Sequence, residues 1–158
     1  MTSRLIIIPA RRNSKRIKNK NIKNFNGKPI INYSIKNAEQ SKLFKKIHVS
    51  TESIKIFKKV KKNYVDFLRP KYLSGDRVPT LSVMKYVVDR YLKNGIFFDE
   101  VWCMSACAPL IKTKDLIKAS KLLRKNRNKI IITISAFQTP IEWGFKMSKN
   151  NNLTPVSK

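Results

Sequence analysis

Acidic residues are scarce in this chain. Nine aspartates and glutamates stand against 35 lysines and arginines in 158 residues, a formal net charge of +26. A metal site built from several carboxylates has few residues to draw on, and no acid follows Glu142. Glycine is scarcer still. The four glycines are Gly27, Gly75, Gly95 and Gly144, and none lies between Pro9 and Asn21. That excludes a GxGxxG or Walker A cradle in this stretch. Two cysteines, Cys103 and Cys107, and one histidine, His48, make too poor a set for a zinc site. The two cysteines read instead as buried reduced thiols of a cytosolic protein. No apolar run reaches 18 residues and no secretory leader pattern is visible, so the expected location is cytoplasmic, with no membrane span. The aromatics form no rich stacking platform, which argues against an RNA-binding module.

The basic excess is spread along the whole chain and travels with asparagine. That pairing is what an AT-rich coding sequence supplies, so much of the charge reads as compositional. It still attracts nucleotides and RNA at low salt. With 158 residues and 42% hydrophobic content, one domain over 1–158 with a proper core is expected.

Strand and helix patterns alternate. Leu5–Ile8 is a continuous apolar run suited to a buried parallel strand. Pro29 to Ala38 reads as a helix with Pro29 near its first turn. Lys46–Ser50 reads as a second strand, Ser53–Lys62 as a short helix and Asp66–Leu68 as a brief strand. Thr80 is the expected cap of a helix over Leu81–Leu92, and Thr113 of one over Lys114–Lys125, with Asp115 in its first turn. Glu100–Met104 and Ile130–Ser135 read as a third and a fourth core strand, and Leu153–Val156 as the start of another. The pattern predicts an α/β fold with a mostly parallel sheet and helices on both faces.

The first strand hands the chain to a cationic loop. Arg11, Arg12, Lys15, Arg16, Lys18 and Lys20 lie within ten residues of one another. A strand's carboxyl end leading into such a loop is where an α/β sheet holds an anionic ligand, with polyphosphate the first candidate. A residue there that must take positive φ is expected at Asn13, since asparagine tolerates the left-handed region.

These residues carry a resemblance. Pro9-Ala-Arg-Arg-Asn-Ser-Lys-Arg-Ile-Lys-Asn-Lys-Asn21 with Gly27-Lys-Pro-Ile30 resembles the opening signature of the acylneuraminate cytidylyltransferases, the CMP-sugar synthetases. His48-Val-Ser-Thr-Glu52 resembles the family's second strand. Phe67-Leu-Arg-Pro70, Leu73-Ser-Gly-Asp76 and Pro79-Thr80 resemble its base-binding segment, and Ser105-Ala-Cys-Ala-Pro-Leu110 its strand-end motif. Phe67–Pro70, Pro79-Thr80 and Thr139-Pro-Ile-Glu-Trp143 look more like the pseudaminic acid branch than the N-acetylneuraminate branch.

The resemblance implies a Rossmann-like sheet of the nucleotide-diphospho-sugar transferase type, truncated at its C-terminus. It implies transfer of CMP from CTP to a nonulosonic acid. Arg11, Lys15 and Lys20 are the implied catalytic cations, and Ala10, Asn13, Ser14 and Asn21 join them around the triphosphate. Arg69 and Thr80 are placed at the cytosine and Ser105 beside the nucleotide. Arg69 supplies a donor for the base carbonyl; its alternative is a surface ion pair with Asp66 or Asp76, or Asp76 holds it in position. Gln138-Thr-Pro140 and Trp143 fall on the sugar side, or Trp143 is simply core. Ala106 and Cys107 depart from the family's usual proline and threonine, and phosphoryl transfer gives Cys107 no nucleophilic task.

Mg²⁺ is the implied cofactor, but the family's principal metal aspartates lie beyond position 158. Glu52, Asp76 and Asp99 are weak substitutes, so no metal ligand is assigned in this chain. A homodimer is implied for the full-length family architecture. Three alternatives stand beside this reading: a 3-deoxy-manno-octulosonate cytidylyltransferase, a nucleotide-binding fragment without catalysis, and a basic RNA-binding module.

Overall fold

The computed structural model describes residues 2–14, 16–126, 129–134 and 144–156. The chain divides into two units, Met1–Lys121 and Leu122–Lys158.

The first unit is organised by the apolar run near the N-terminus. Strand β1 (Arg4–Pro9) is buried over its first five residues and pairs in parallel on both sides. Its neighbours are β4 (Lys46–Ser50) and β5 (Glu100–Cys103), giving the order β4-β1-β5. Ile6 stands opposite Ile47 on one side and Trp102 on the other. Strand alternation sends β1 side chains to both faces. Ile6 and Ile8 pack with Ile31, Ile35 and Ala38 of helix α1 (Ile31–Ser41) and Leu116 of α4 (Thr113–Lys125). Leu5 and Ile7 pack with Val87 and Tyr91 of α3 (Thr80–Lys93). Both faces are therefore covered, as a parallel sheet requires. Full burial of each such aliphatic side chain contributes about 1.5–3 kcal/mol.

Between β1 and α1 lies a small antiparallel hairpin, β2 (Asn24–Phe25) and β3 (Lys28–Pro29). Its turn needs positive φ at Asn26 (44°) and Gly27 (85°), which these residue types supply. Pro29 therefore belongs to a strand, and α1 begins two residues later than the sequence pattern suggests.

Other expectations are corrected. The helix expected over Ser53–Lys62 is a single turn, α2 (Ile54–Phe57), capped by the Ser53 hydroxyl accepting from the Ile56 amide. Lys55, Lys58, Lys59, Lys61 and Lys62 crowd like charges at helical spacing, which opposes a longer helix. Asp66–Leu68 is not a strand; its neighbour Arg69 makes one amide bond to the Thr51 carbonyl (2.8 Å) in place of a ladder. Thr80 is the first residue of α3 rather than its cap, because Pro79 is extended and its carbonyl already accepts from the Ser82 amide. Thr113 likewise opens α4, and the Asp115 carboxylate accepts from the Lys112 amide (2.9 Å). Residues 130–134 of the expected fourth strand carry no strand structure, since a strand forms only with a ladder partner; Ser135 lies outside the described residues.

In the second unit, β6 (Phe145–Met147) and β7 (Leu153–Pro155) form an antiparallel hairpin whose turn places Asn151 at φ 60°. Ile130, Ile132 and Ile134 are largely exposed. Among the described residues, no helix is long and apolar enough to cross a membrane.

Candidate functional site

The strand order sets the site. From β1 the chain moves to β4 on one side, then crosses to β5 on the other. The strand order thus reverses at β1, and the carboxyl ends of β1 and its two neighbours lie at that switch point.

At the end of β1, Ala10 is fully buried and its amide donates to the Ser50 carbonyl of β4 (2.9 Å). The chain then rises into the cationic loop. Asn19, not Asn13, takes the left-handed conformation (φ 54°). The reason is local: Asn19 precedes a short 3₁₀ turn (Lys20–Ile22), and its carbonyl accepts from the Ile22 amide (3.0 Å). That turn buries Asn21. The Asn21 amide nitrogen donates to the Arg11 carbonyl (2.8 Å), and Asn21 Oδ1 accepts from Cys107 Sγ (3.2 Å). One asparagine thereby ties both ends of the loop after β1 to the loop after β5.

Two carboxylates meet the cations. Glu52 follows β4; its Oε1 accepts from the Arg12 amide (2.7 Å) and its Oε2 from Arg69 Nη2 (2.9 Å). Asp76 pairs with Arg11. The ion-pair alternative for Arg69 thus exists, but its partner is Glu52 rather than Asp66 or Asp76. Burial pushes the Glu52 carboxyl up, but the Arg69 hydrogen bond and the Arg12 amide outweigh it and hold it below the usual range. The Arg69 side chain is nearly fully buried, and its Nε, itself buried, has no partner among the described residues.

The structure therefore brings Ala10, Arg11, Asn21 and Arg69 around the ends of β1 and β4. Ser105 stands at the end of β5: its carbonyl accepts from Ser34 Oγ of α1 (2.9 Å), and its hydroxyl accepts from the Cys107 amide (3.3 Å). The thiols expected to be buried are not: Cys103, on an outer strand, is exposed and Cys107 half-buried. Lys20 lies close enough to Cys107 to oppose the rise in thiol pKa that burial causes. Asn13 is exposed and Ser14 half-buried on the same loop. Thr80 is exposed at the start of α3, following the stretch whose Asp76 holds Arg11. Lys15, Gln138, Thr139, Pro140 and Trp143 lie outside the described residues.

Sequence reasoning weighed Glu52 as a metal substitute and missed it as the clamp between the β1 loop and Arg69. Its signal was an acid placed directly after a strand, facing a loop of cations. A resident Mg²⁺ does not fit the described residues. Both Glu52 oxygens are engaged, Asp76 is paired with Arg11, and no group of three or more potential ligands gathers anywhere among them.

A parallel sheet under helices, with a cationic loop at its switch point, is the architecture of α/β proteins that hold anionic nucleotides. The comparison with known proteins narrows that class: the cytidylyltransferase family model matches residues 5–157, and the chain belongs to that family. It is 34% identical over 151 residues to the pseudaminic acid cytidylyltransferase of Campylobacter jejuni subsp. jejuni serotype O:2, covering 94% of this chain and 65% of that protein. It is 39% identical over 137 residues to a Helicobacter pylori protein named as pseudaminic acid cytidylyltransferase and UDP-2,4-diacetamido-2,4,6-trideoxy-beta-L-altropyranose hydrolase, covering 84% and 26%. A solved CMP:2-keto-3-deoxy-manno-octonic acid synthetase complexed with CTP superposes with a TM-score of 0.66 at 20% identity, over 80% of this chain and 49% of that one, and shows the fold. The chain thus spans less than two thirds of the Campylobacter relative's length.

Proposed function

We propose that this chain provides the nucleotide-binding part of a cytoplasmic cytidylyltransferase that transfers CMP from CTP to a nonulosonic acid of the pseudaminic type, releasing pyrophosphate. The observation that carries this is the meeting of the cationic β1 loop, Asn21 and buried Arg69 at the sheet's switch point. The similarity to pseudaminic acid cytidylyltransferases supplies the substrates.

In the reaction, a hydroxyl oxygen of the sugar acid attacks the α-phosphorus of CTP. A new P–O bond forms, the bond to the β-phosphate oxygen breaks, and pyrophosphate leaves. Arg11, Lys15 and Lys20 receive the negative charge that builds on the phosphates. Arg69 serves the base side of the site, its guanidinium held by Glu52. Asn21 holds the loop in shape. The described residues supply no set of ligands for Mg²⁺, and we propose a homodimer for the longer protein.

The test is thermal unfolding with CTP at near-physiological salt. CTP raises the midpoint by mass action, and Arg11→Ala reduces the shift, with each lost charge-assisted contact costing roughly 1.5–3 kcal/mol. A shift from random RNA with none from CTP refutes the reading. One observation favours a second reading, binding without turnover in a chain of this length: the described residues gather no carboxylate set for a metal.

A further inference from the structure

We propose that His48, Tyr91 and Asp66 form a buried positioning device that sets where Arg69 stands in the strand-end cleft. The inference rests on reading that cleft as the nucleotide site.

His48 lies mid-β4 and is wholly buried. Its Nδ1 is 3.0 Å from the Tyr91 hydroxyl of α3, and that hydroxyl donates to Asp66 Oδ2 (2.9 Å). A tyrosine hydroxyl has one proton to give. Since Asp66 takes it, Tyr91 must accept from His48 Nδ1–H. The imidazole is then neutral, protonated at Nδ1, with a bare Nε2 that has no partner among the described residues. Asp66 Oδ1 is held in turn by Lys46 Nζ (2.6 Å), which also donates to the Asn63 carbonyl (3.1 Å).

The segment from Asp66 to Arg69 has no helix or strand to place it. Its anchors are side chains and one amide. Asp66 is fixed by Tyr91 and Lys46. Phe67 packs on the His48 ring at 4.5 Å between centroids and edge-on to Tyr91 at 5.4 Å, with the Arg90 guanidinium 5.1 Å over its ring. Two residues on, the Arg69 amide bonds the Thr51 carbonyl. The Arg69 guanidinium bonds Glu52 through Nη2 and leaves Nε unpartnered. The placement of that guanidinium therefore follows the position of its backbone. His48, Tyr91 and Asp66 touch none of the cationic loop residues through the bonds just described, so they act on the base side of the cleft and not on the phosphate side.

The experiment measures two things in the 158-residue chain. One is the exchange rate of the Arg69 Nε–H by NMR, with Arg4 Nε–H, paired to Glu100 at the opposite end of the sheet, as control. The other is the dissociation constant for CTP and, separately, for pyrophosphate. Tyr91→Phe keeps the ring and removes the hydroxyl; Asp66→Ala removes its acceptor. Both are expected to speed Arg69 exchange and weaken CTP binding by about threefold to tenfold while leaving pyrophosphate within about twofold. Asp66→Asn keeps an acceptor for Tyr91 though it loses the Lys46 ion pair, and is expected to stay near the wild type. Unchanged Arg69 exchange in Tyr91→Phe overturns the proposal. So does parallel weakening of CTP and pyrophosphate together with faster Arg4 exchange, the mark of general loosening. A wild-type chain that binds pyrophosphate but not CTP defeats the nucleotide reading alone, and Arg69 exchange still decides the positioning role.

Discussion

His48 and Glu52 lie four positions apart and respond to acid for different reasons. Burial lowers the His48 pKa to about 4 from 6.5, with Asp66 opposing that and Lys46 adding to it. A second proton would sit on Nε2, which has no partner among the described residues. In the unfolded chain the ring is free to take that proton near its ordinary pKa. Stability therefore falls as pH drops from about 6.5 towards about 4, because the unfolded state binds the proton first. Glu52 acts lower. Its depressed folded pKa contributes stability above the ordinary value of 4.5, and that stability is lost as pH falls through the folded value. Between pH 7 and 4.5 the histidine dominates, and its share is on the order of 3 kcal/mol. Urea unfolding at the two pH values checks this. His48→Phe, which cannot titrate, is expected to lose much less stability than the wild type over that interval. Equal losses in the two proteins would show that the ring is not the source.

At the level of elements, charge and partner availability decide where periodicity misleads. Helix α2 stops after one turn although Ile54, Ile56, Phe57 and Val60 are all apolar. Lys55 and Lys59 stand at i,i+4, as do Lys58 and Lys62. Lys55→Glu turns the first pair into an attractive one in the favourable orientation, and is expected to add about 0.2–0.5 kcal/mol and lengthen the helix. Backbone chemical shifts across 54–62 measure it; unchanged shifts would show that something other than lysine repulsion ends the turn. Where the apolar pattern was long, at β1, α1, α3 and α4, the sequence alone placed each element to within a few residues, because burial on one face dominates local preferences. Caps were less legible: Thr80 and Thr113 are good capping types, yet the preceding residues hold the cap position. The cleft was half legible. Motifs following strands had to converge at one end of a parallel sheet, so Arg11, Asn21 and Arg69 could be grouped in advance. The Glu52 clamp and the His48–Tyr91–Asp66 chain could not. They join residues 17 to 43 positions apart, and nothing in local composition encodes that distance.

For the whole molecule, binding and turnover come apart. A net charge of +26 draws any polyphosphate towards the surface, so affinity at low salt reports charge as much as site. In the proposed site, contacts made by a buried group such as Arg69 would survive added salt better. The CTP affinity of Arg69→Ala should therefore diverge from the wild type as salt rises, while non-specific RNA binding falls steeply for both. Turnover needs more than binding. On the proposed reading the cations hold and orient the triphosphate, which is one part of catalysis. Yet Glu52 is occupied by Arg12 and Arg69 and Asp76 by Arg11, and the described residues gather no set of ligands for a metal. The chain is expected to release pyrophosphate from CTP and a pseudaminic-type acid at most very slowly in the presence of Mg²⁺. Joined to the segment by which the Campylobacter relative exceeds it, the same chain should gain turnover by orders of magnitude with little change in CTP affinity. A continuous pyrophosphate assay on both proteins decides the matter. Full activity in the 158-residue chain would mean that Glu52 or Asp76 leaves its arginine for the metal when CTP binds.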